Sequence, residues 1–190
     1  MNAAAAIGKA LEIGEGTFRT SMPLTLPGAA AGLTMRGAIL YAGPGGRTAL
    51  MLGDGGTARN AAKLYEGRRV LRAAISDWTD ENDIGIVLRN LDASFVELRQ
   101  VEGFTIGLRT LGDGRGFEDT TLLLGRIVNN MIGLDVRTAT AGAWNTSVRY
   151  YGGHFAIASS LHPERSRYGV RFSAAPGAYI GHNRHVFHGP

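Results

Sequence analysis

Residues 129–155 read NNMIGLDVRTATAGAWNTSVRYYGGHF. Ile132, Leu134 and Val136 alternate with Gly133, Asp135 and Arg137, which is the period of a half-buried strand. A break at 138–143 follows, then Val148, Tyr150 and a Gly-Gly pair. The stretch predicts two short strands joined by a turn, with too little periodicity for a helix.

Working outward, the first half of the stretch recurs. IGIVLRN (84–90), IGLRTLG (106–112), IGLDVRT (132–138) and YGVRFSA (168–174) each place an apolar or aromatic residue before a glycine and then a strand. The glycines Gly85, Gly107, Gly133 and Gly169 are 22, 26 and 36 residues apart. A second series lies between them: SFVELRQVEGF (94–104), TTLLLGRIVNN (120–130), NTSVRYYGGHF (145–155) and HNRHVFHGP (182–190). SSLHPERSR (159–167) is an insertion that lengthens the last interval. Two or more strands per 20–26 residues is the pattern of a solenoid. The expected fold is all-β, a right-handed parallel β-helix, with equivalent positions about 4.8 Å apart along the axis.

Earlier segments fit the same strand-and-turn reading: LEI, TFRTS, PLTL, LTMRG, AILYA and TALML. The expected organisation is a single domain over 1–190. Asn2 caps a short Ala-rich helix over 1–11, and coils fill 12–190. Residues 58–75 carry mixed apolar spacing and Gly67, so a loop or single helical turn followed by the strand RRVLRAAI is expected. Corners are assigned to Gly and Asn, with Asn90, Asn129, Asn130, Asn145 and Asn183 as candidates. Asp54-Gly55 and Asp113-Gly114 support a competing antiparallel sandwich, because Asp-Gly favours hairpins.

Composition narrows function. The 190 residues are 44% hydrophobic and 19% charged, a globular balance. The absence of cysteine removes disulfides and thiolate metal sites. No apolar run is long enough for a membrane span, and the N-terminus lacks the basic-then-apolar order of a signal peptide. The net charge of +4 comes from 18 Arg and two Lys that are dispersed rather than clustered, so neither nucleic-acid binding nor membrane insertion is expected.

LEIGEGTFRTSMPLTLP (11–27) resembles the opening coil of pectate-lyase-like right-handed β-helices. AWNTSVRYYGGHF (143–155) and GHNRHVFHGP (181–190) resemble coils of bacteriophage tailspike and fibre proteins. The resemblance implies a homotrimeric spike or fibre on the surface of a phage or phage-like virion. It would bind host-surface polysaccharide alongside other virion proteins. The alternative is a polysaccharide lyase or glycoside hydrolase of the same fold; a secreted adhesin is a third.

Residue chemistry singles out several candidate sites. Trp78, Trp144, Tyr150 and Tyr151 are the candidate carbohydrate-stacking residues, with core packing as the plainer use of the same rings. Asp77, Asp80, Glu81 and Asp83 flank Trp78, and paired carboxylates serve glycosidases, but a solvated inter-coil loop is the favoured reading. As an EF-hand the segment fails, since Ile84 and Leu91 occupy ligand positions. His182, His185 and His188 alternate sides on a strand, a poor metal set. GPGGRT (43–48) lacks the ending of a phosphate loop, and there is no GxSxG elbow. No catalytic residue, metal or cofactor is assigned.

Overall fold

The computed structural model describes residues 9–55, 60–179 and 181–189. They form twenty strands and no helix. In chain order these are β1 (Leu11–Ile13), β2 (Thr17–Thr20), β3 (Leu24–Leu26), β4 (Gly32–Met35), β5 (Ala38–Tyr41), β6 (Thr48–Leu52), β7 (Asn60–Ala61), β8 (Leu64–Arg72), β9 (Ile84–Arg89) and β10 (Leu91–Asp92). They continue as β11 (Phe95–Glu102), β12 (Ile106–Gly112), β13 (Phe117–Glu118), β14 (Thr121–Val128), β15 (Ile132–Thr138), β16 (Asn145–Thr146), β17 (Arg149–Ala156), β18 (Tyr168–Ala174), β19 (His182–Asn183) and β20 (Val186–His188).

The strands belong to three parallel sheets. Sheet A follows the order β1-β4-β8-β11-β14-β17-β20, with β2 and β5 alongside; sheet B is β3-β6-β9-β12-β15-β18; sheet C is β7-β10-β13-β16-β19. From β8 onward the chain visits A, B and C in turn and then steps up one rung. This topology is consistent with a parallel β-helix. Every pairing among the described residues is parallel, which overturns the antiparallel sandwich. Asp54-Gly55 and Asp113-Gly114 are corners between sheets B and C, not hairpin turns, and Asn90 lies between them. The Asn90 side chain donates to the backbone oxygens of Asp54 (3.2 Å) and Asp113 (2.7 Å) and accepts from the Asp113 N–H (2.7 Å).

The repeated glycine motif acquires a physical cause. Ile84, Ile106, Ile132 and Tyr168 pair directly across β9, β12, β15 and β18, so the glycine one position on forms a column along sheet B. Facing it from sheet A is the column Val101, Ile127, Phe155. A β-carbon on Gly85 would lie 2.5 Å from Val101 Cγ1, and one on Gly133 would lie 2.4 Å from Phe155 Cδ1. The glycines are the notch into which sheet A presses. The rest of the lumen is filled by matched apolar columns, such as Leu33-Tyr65-Val96-Leu122-Tyr150 from sheet A and Leu50-Ile86-Leu108-Leu134 from sheet B. Burial of each such side chain stabilises the fold by roughly 1.5–3 kcal/mol.

Three expectations are corrected. The helix over 1–11 falls on residues 1–8, outside the described residues, and on 9–11, where Leu11 opens a strand. The segment after residue 58 is a strand already from Leu64, because the bulge at Gly67 (φ 69°) absorbs the irregular spacing. Asn90 and Asn129 do take positive φ, but Asn130, Asn145 and Asn183 do not. Instead, each two-residue corner from sheet C to sheet A opens on a left-handed residue: Ala62, Ala93, Asp119, Ser147 and Arg184, with φ between 45° and 56°. None is Gly or Asn and only Asp119 has any left-handed preference, so residue preference could not mark the series.

Two substitutions test this account. Gly85→Ala overfills the notch and lowers stability by about 2 kcal/mol. Ala93→Gly, at an exposed left-handed corner, raises it by about 0.5–1 kcal/mol, the reverse of the usual sign. Urea unfolding monitored by circular dichroism measures both.

Candidate functional site

Two faces of the solenoid carry chemistry. The outer face of sheet A is open. Its side chains stack into columns because equivalent strand positions lie directly over one another. One column runs Leu64, Phe95, Thr121, Arg149, Val186. The next runs Glu12, Thr34, Glu66, then Glu97, Leu123, Tyr151, His188. A third runs Arg69, Gln100, Arg126, His154. Leu64, Phe95, Leu123, Tyr151 and Val186 are between 38% and 49% exposed, large apolar groups on a solvent face where alternation normally puts polar ones.

Polar groups flank this stripe. Thr34 Oγ1 donates to Glu66 Oε2 (3.2 Å), Arg99 Nε to Glu97 Oε1 (3.1 Å) and Arg69 to Gln100 Oε1 (3.2 Å). A groove of about 420 Å³ is lined by Glu15, Thr34, Arg36, Glu66, Glu97 and Arg99. The Tyr151 ring lies flat on His188, with centroids 4.4 Å apart.

The outer face of sheet B is covered. Ile84, Val87, Ile106 and Ile132 are buried there, with Met51, Leu111 and Met131 packed against them; the loops of residues 73–83 and 157–167 both lie on the chain's path from sheet A to sheet B. The loops meet at His162, whose Nε2 lies 2.9 Å from the Ser76 carbonyl oxygen and whose ring lies 4.7 Å from that of Trp78. Beneath them, Arg109, Asp135 and Arg171 stack on successive rungs. Asp135 accepts from Arg109 Nε (2.8 Å), Arg171 Nε (2.9 Å) and Ser173 Oγ (2.8 Å), and Arg171 forms a bidentate pair with Glu81 (2.7 and 2.8 Å). Burial pushes the Asp135 carboxyl up, but the hydrogen bond from Arg171 and the charge of Arg109 outweigh it, leaving it below its ordinary value. The hydrogen bond from Arg171 likewise holds Glu81 down. This two-cation, two-anion cluster ties the loop of residues 73–83 to the body.

The four expected aromatics do not converge. Trp78 is buried and its ring is engaged by His162. Tyr150 is buried in the lumen, stacked on Phe187 at 4.4 Å, and burial raises its phenol above the ordinary value. Trp144 is half-buried at the corner between sheets B and C, donating to Glu118 Oε2 (2.9 Å) and lying over Gly116. Tyr151 points outward beside Tyr150 and alone joins the open face of sheet A. The acidic loop is likewise dispersed. Asp77 accepts from Thr79, Asp80 from Asn82, Glu81 from Arg171, and Asp83 is buried against Arg72 Nε (3.1 Å). His182 and His185 lie near the backbone oxygens of Ser173 and Asn145.

Sequence reasoning missed Leu64, Phe95, Leu123, Glu66 and Glu97 as one surface. A signal was present, since large apolar residues stand at outward strand positions, but it needs the register between rungs to be read. No family model, curated protein or solved structure matches the chain, so functional argument stands on these residues and this fold.

Replacing Asp135 by Asn removes the carboxylate paired with the buried Arg109, while Arg171 keeps Glu81, and lowers stability at pH 7 by about 3 kcal/mol. Because Asp135 and Glu81 sit below their ordinary values of 3.8 and 4.5, their contribution is complete above about pH 4.5 and is lost as pH falls through the depressed folded-state values. Urea midpoints at pH 7 and pH 3 should therefore differ less for Asp135→Asn than for the unmodified chain.

Proposed function

We propose that the chain is a non-catalytic adsorption module: a right-handed, pectate-lyase-like β-helix from the spike or fibre of a phage or phage-like virion, binding host-surface polysaccharide as a homotrimer with other virion proteins. Right-handedness follows from the strong preference of parallel crossover connections for that hand. The single observation that supports binding is the stripe of Leu64, Phe95, Leu123 and Tyr151 on the outer face of sheet A. Aromatic faces stack on the apolar faces of sugar rings, and the flanking Glu66, Glu97, Arg126 and Arg149 offer acceptors and donors for hydroxyls. A rigid sheet repeating at about 4.8 Å suits an extended polymer better than a small ligand.

Glu66 and Glu97 favour the depolymerase alternative, because they occupy neighbouring rungs on one column. Carboxylates roughly 5–10 Å apart are the requirement of glycoside hydrolysis. The binding reading ranks first because each of these carboxylates already accepts a hydrogen bond from the chain, Glu66 from Thr34 and Glu97 from Arg99.

Titration of purified capsule and lipopolysaccharide preparations into the protein tests the proposal. Phe95→Ala and Tyr151→Ala should each weaken binding roughly tenfold, about 1.4 kcal/mol, with unchanged thermal stability. Unaltered binding by both variants overturns the assignment of this face. Release of reducing ends, lost in Glu66→Gln or Glu97→Gln, establishes the hydrolase instead. Light scattering should give a mass of three chains; a monomer overturns the trimer.

A further inference from the structure

Among the described residues, Arg68 is a positive charge buried in the lumen without a hydrogen-bond partner. Arg68 is 0% exposed, and its Nε, Nη1 and Nη2 all lack a hydrogen-bond partner among the described residues. It pairs across the ladder with Leu98, itself paired with Leu124, so the guanidinium stands where the next two rungs place leucine. The bulge at Gly67 causes this. Tyr65 points inward and Glu66 outward; the extra residue at Gly67 resets the alternation and turns Arg68 back into the lumen.

The guanidinium carbon lies 5.7 Å from the centroid of the Tyr65 ring. The Tyr65 hydroxyl is also buried and unpartnered. A ring face attracts a cation but satisfies none of its five N–H groups. Glu66 and Glu97 reach Arg68 by charge alone, with no hydrogen bond to its guanidinium; they accept from Thr34 and Arg99. Burial lowers the Arg68 pKa to about 9, which leaves it charged at neutral pH.

We propose that one small monovalent anion of the halide class is enclosed in the coil beside Arg68, paired with its guanidinium and with the Tyr65 hydroxyl. A buried charge is tolerated when paired and hydrogen-bonded; water satisfies N–H groups but brings no countercharge into the lumen. A single negative charge neutralises the site. A weakly hydrated halide loses less on entering an apolar lumen than a sulfate or phosphate dianion does. Enclosure between rungs means that the ion enters as the chain folds.

The test uses the full chain, unfolded and refolded in sodium chloride, sodium bromide or sodium gluconate at equal ionic strength. Thermal midpoints should rise saturably with chloride or bromide, by roughly 5–10 °C at a hundredfold excess over Kd. Arg68→Met should lose this dependence, and Tyr65→Phe should weaken the halide affinity severalfold. Crystals of bromide-refolded protein should show bromine anomalous scattering beside the guanidinium. No halide response in the unmodified chain, an equal response in Arg68→Met, or no anomalous peak at Arg68 overturns the proposal. Should Arg68→Met fail to fold, the diffraction result decides alone.

Discussion

The structure depends on a ladder in which no rung can complete itself. Each strand pairs with residues 21 to 37 positions away, as in Thr17 with Ala38 and Arg149 with Val186. A rung by itself leaves its strand N–H and C=O groups unsatisfied and its apolar columns one residue thick. Stability is therefore collective, and long-range pairing of this kind makes folding slow relative to helical proteins of equal size. The same ladder aligns side chains into columns, so every property of the surface is a property of register.

This governs which parts of the fold were legible in the sequence. The series IGIVLRN, IGLRTLG, IGLDVRT and YGVRFSA was legible because sheet B keeps one register and a glycine at one place in it. Sheet C was not, because its strands are two residues long and lack periodicity; in NTSVRYYGGHF it hides as Asn145–Thr146 ahead of β17. The left-handed corners were invisible for another reason. Ala62, Ala93, Asp119, Ser147 and Arg184 hold a strained conformation imposed by the ladder on either side, and intrinsic preference gives no warning.

The functional surfaces were less legible than the fold. Tyr150 and Tyr151 are adjacent in sequence, yet one is core and the other solvent-facing, and only the strand phase separates them. Trp78 stood out as an aromatic beside acids, but it is sealed in by His162, which is 84 positions away. Phe95, Leu123 and Tyr151 form a stripe only when rungs of unequal length are brought into register. Arg68 was hidden by a single glycine, since alternation without a bulge would turn it outward.

The two-residue corners between sheets C and A carry a consequence for how such a chain changes length. They leave no slack on that edge of the solenoid, whereas the other two edges hold loops as different as Asn90 alone and residues 157–167. Growth by insertion is thereby confined to two edges. The third keeps a constant length from rung to rung, so each sheet A strand starts in step with the one beneath it while the loops elsewhere diverge.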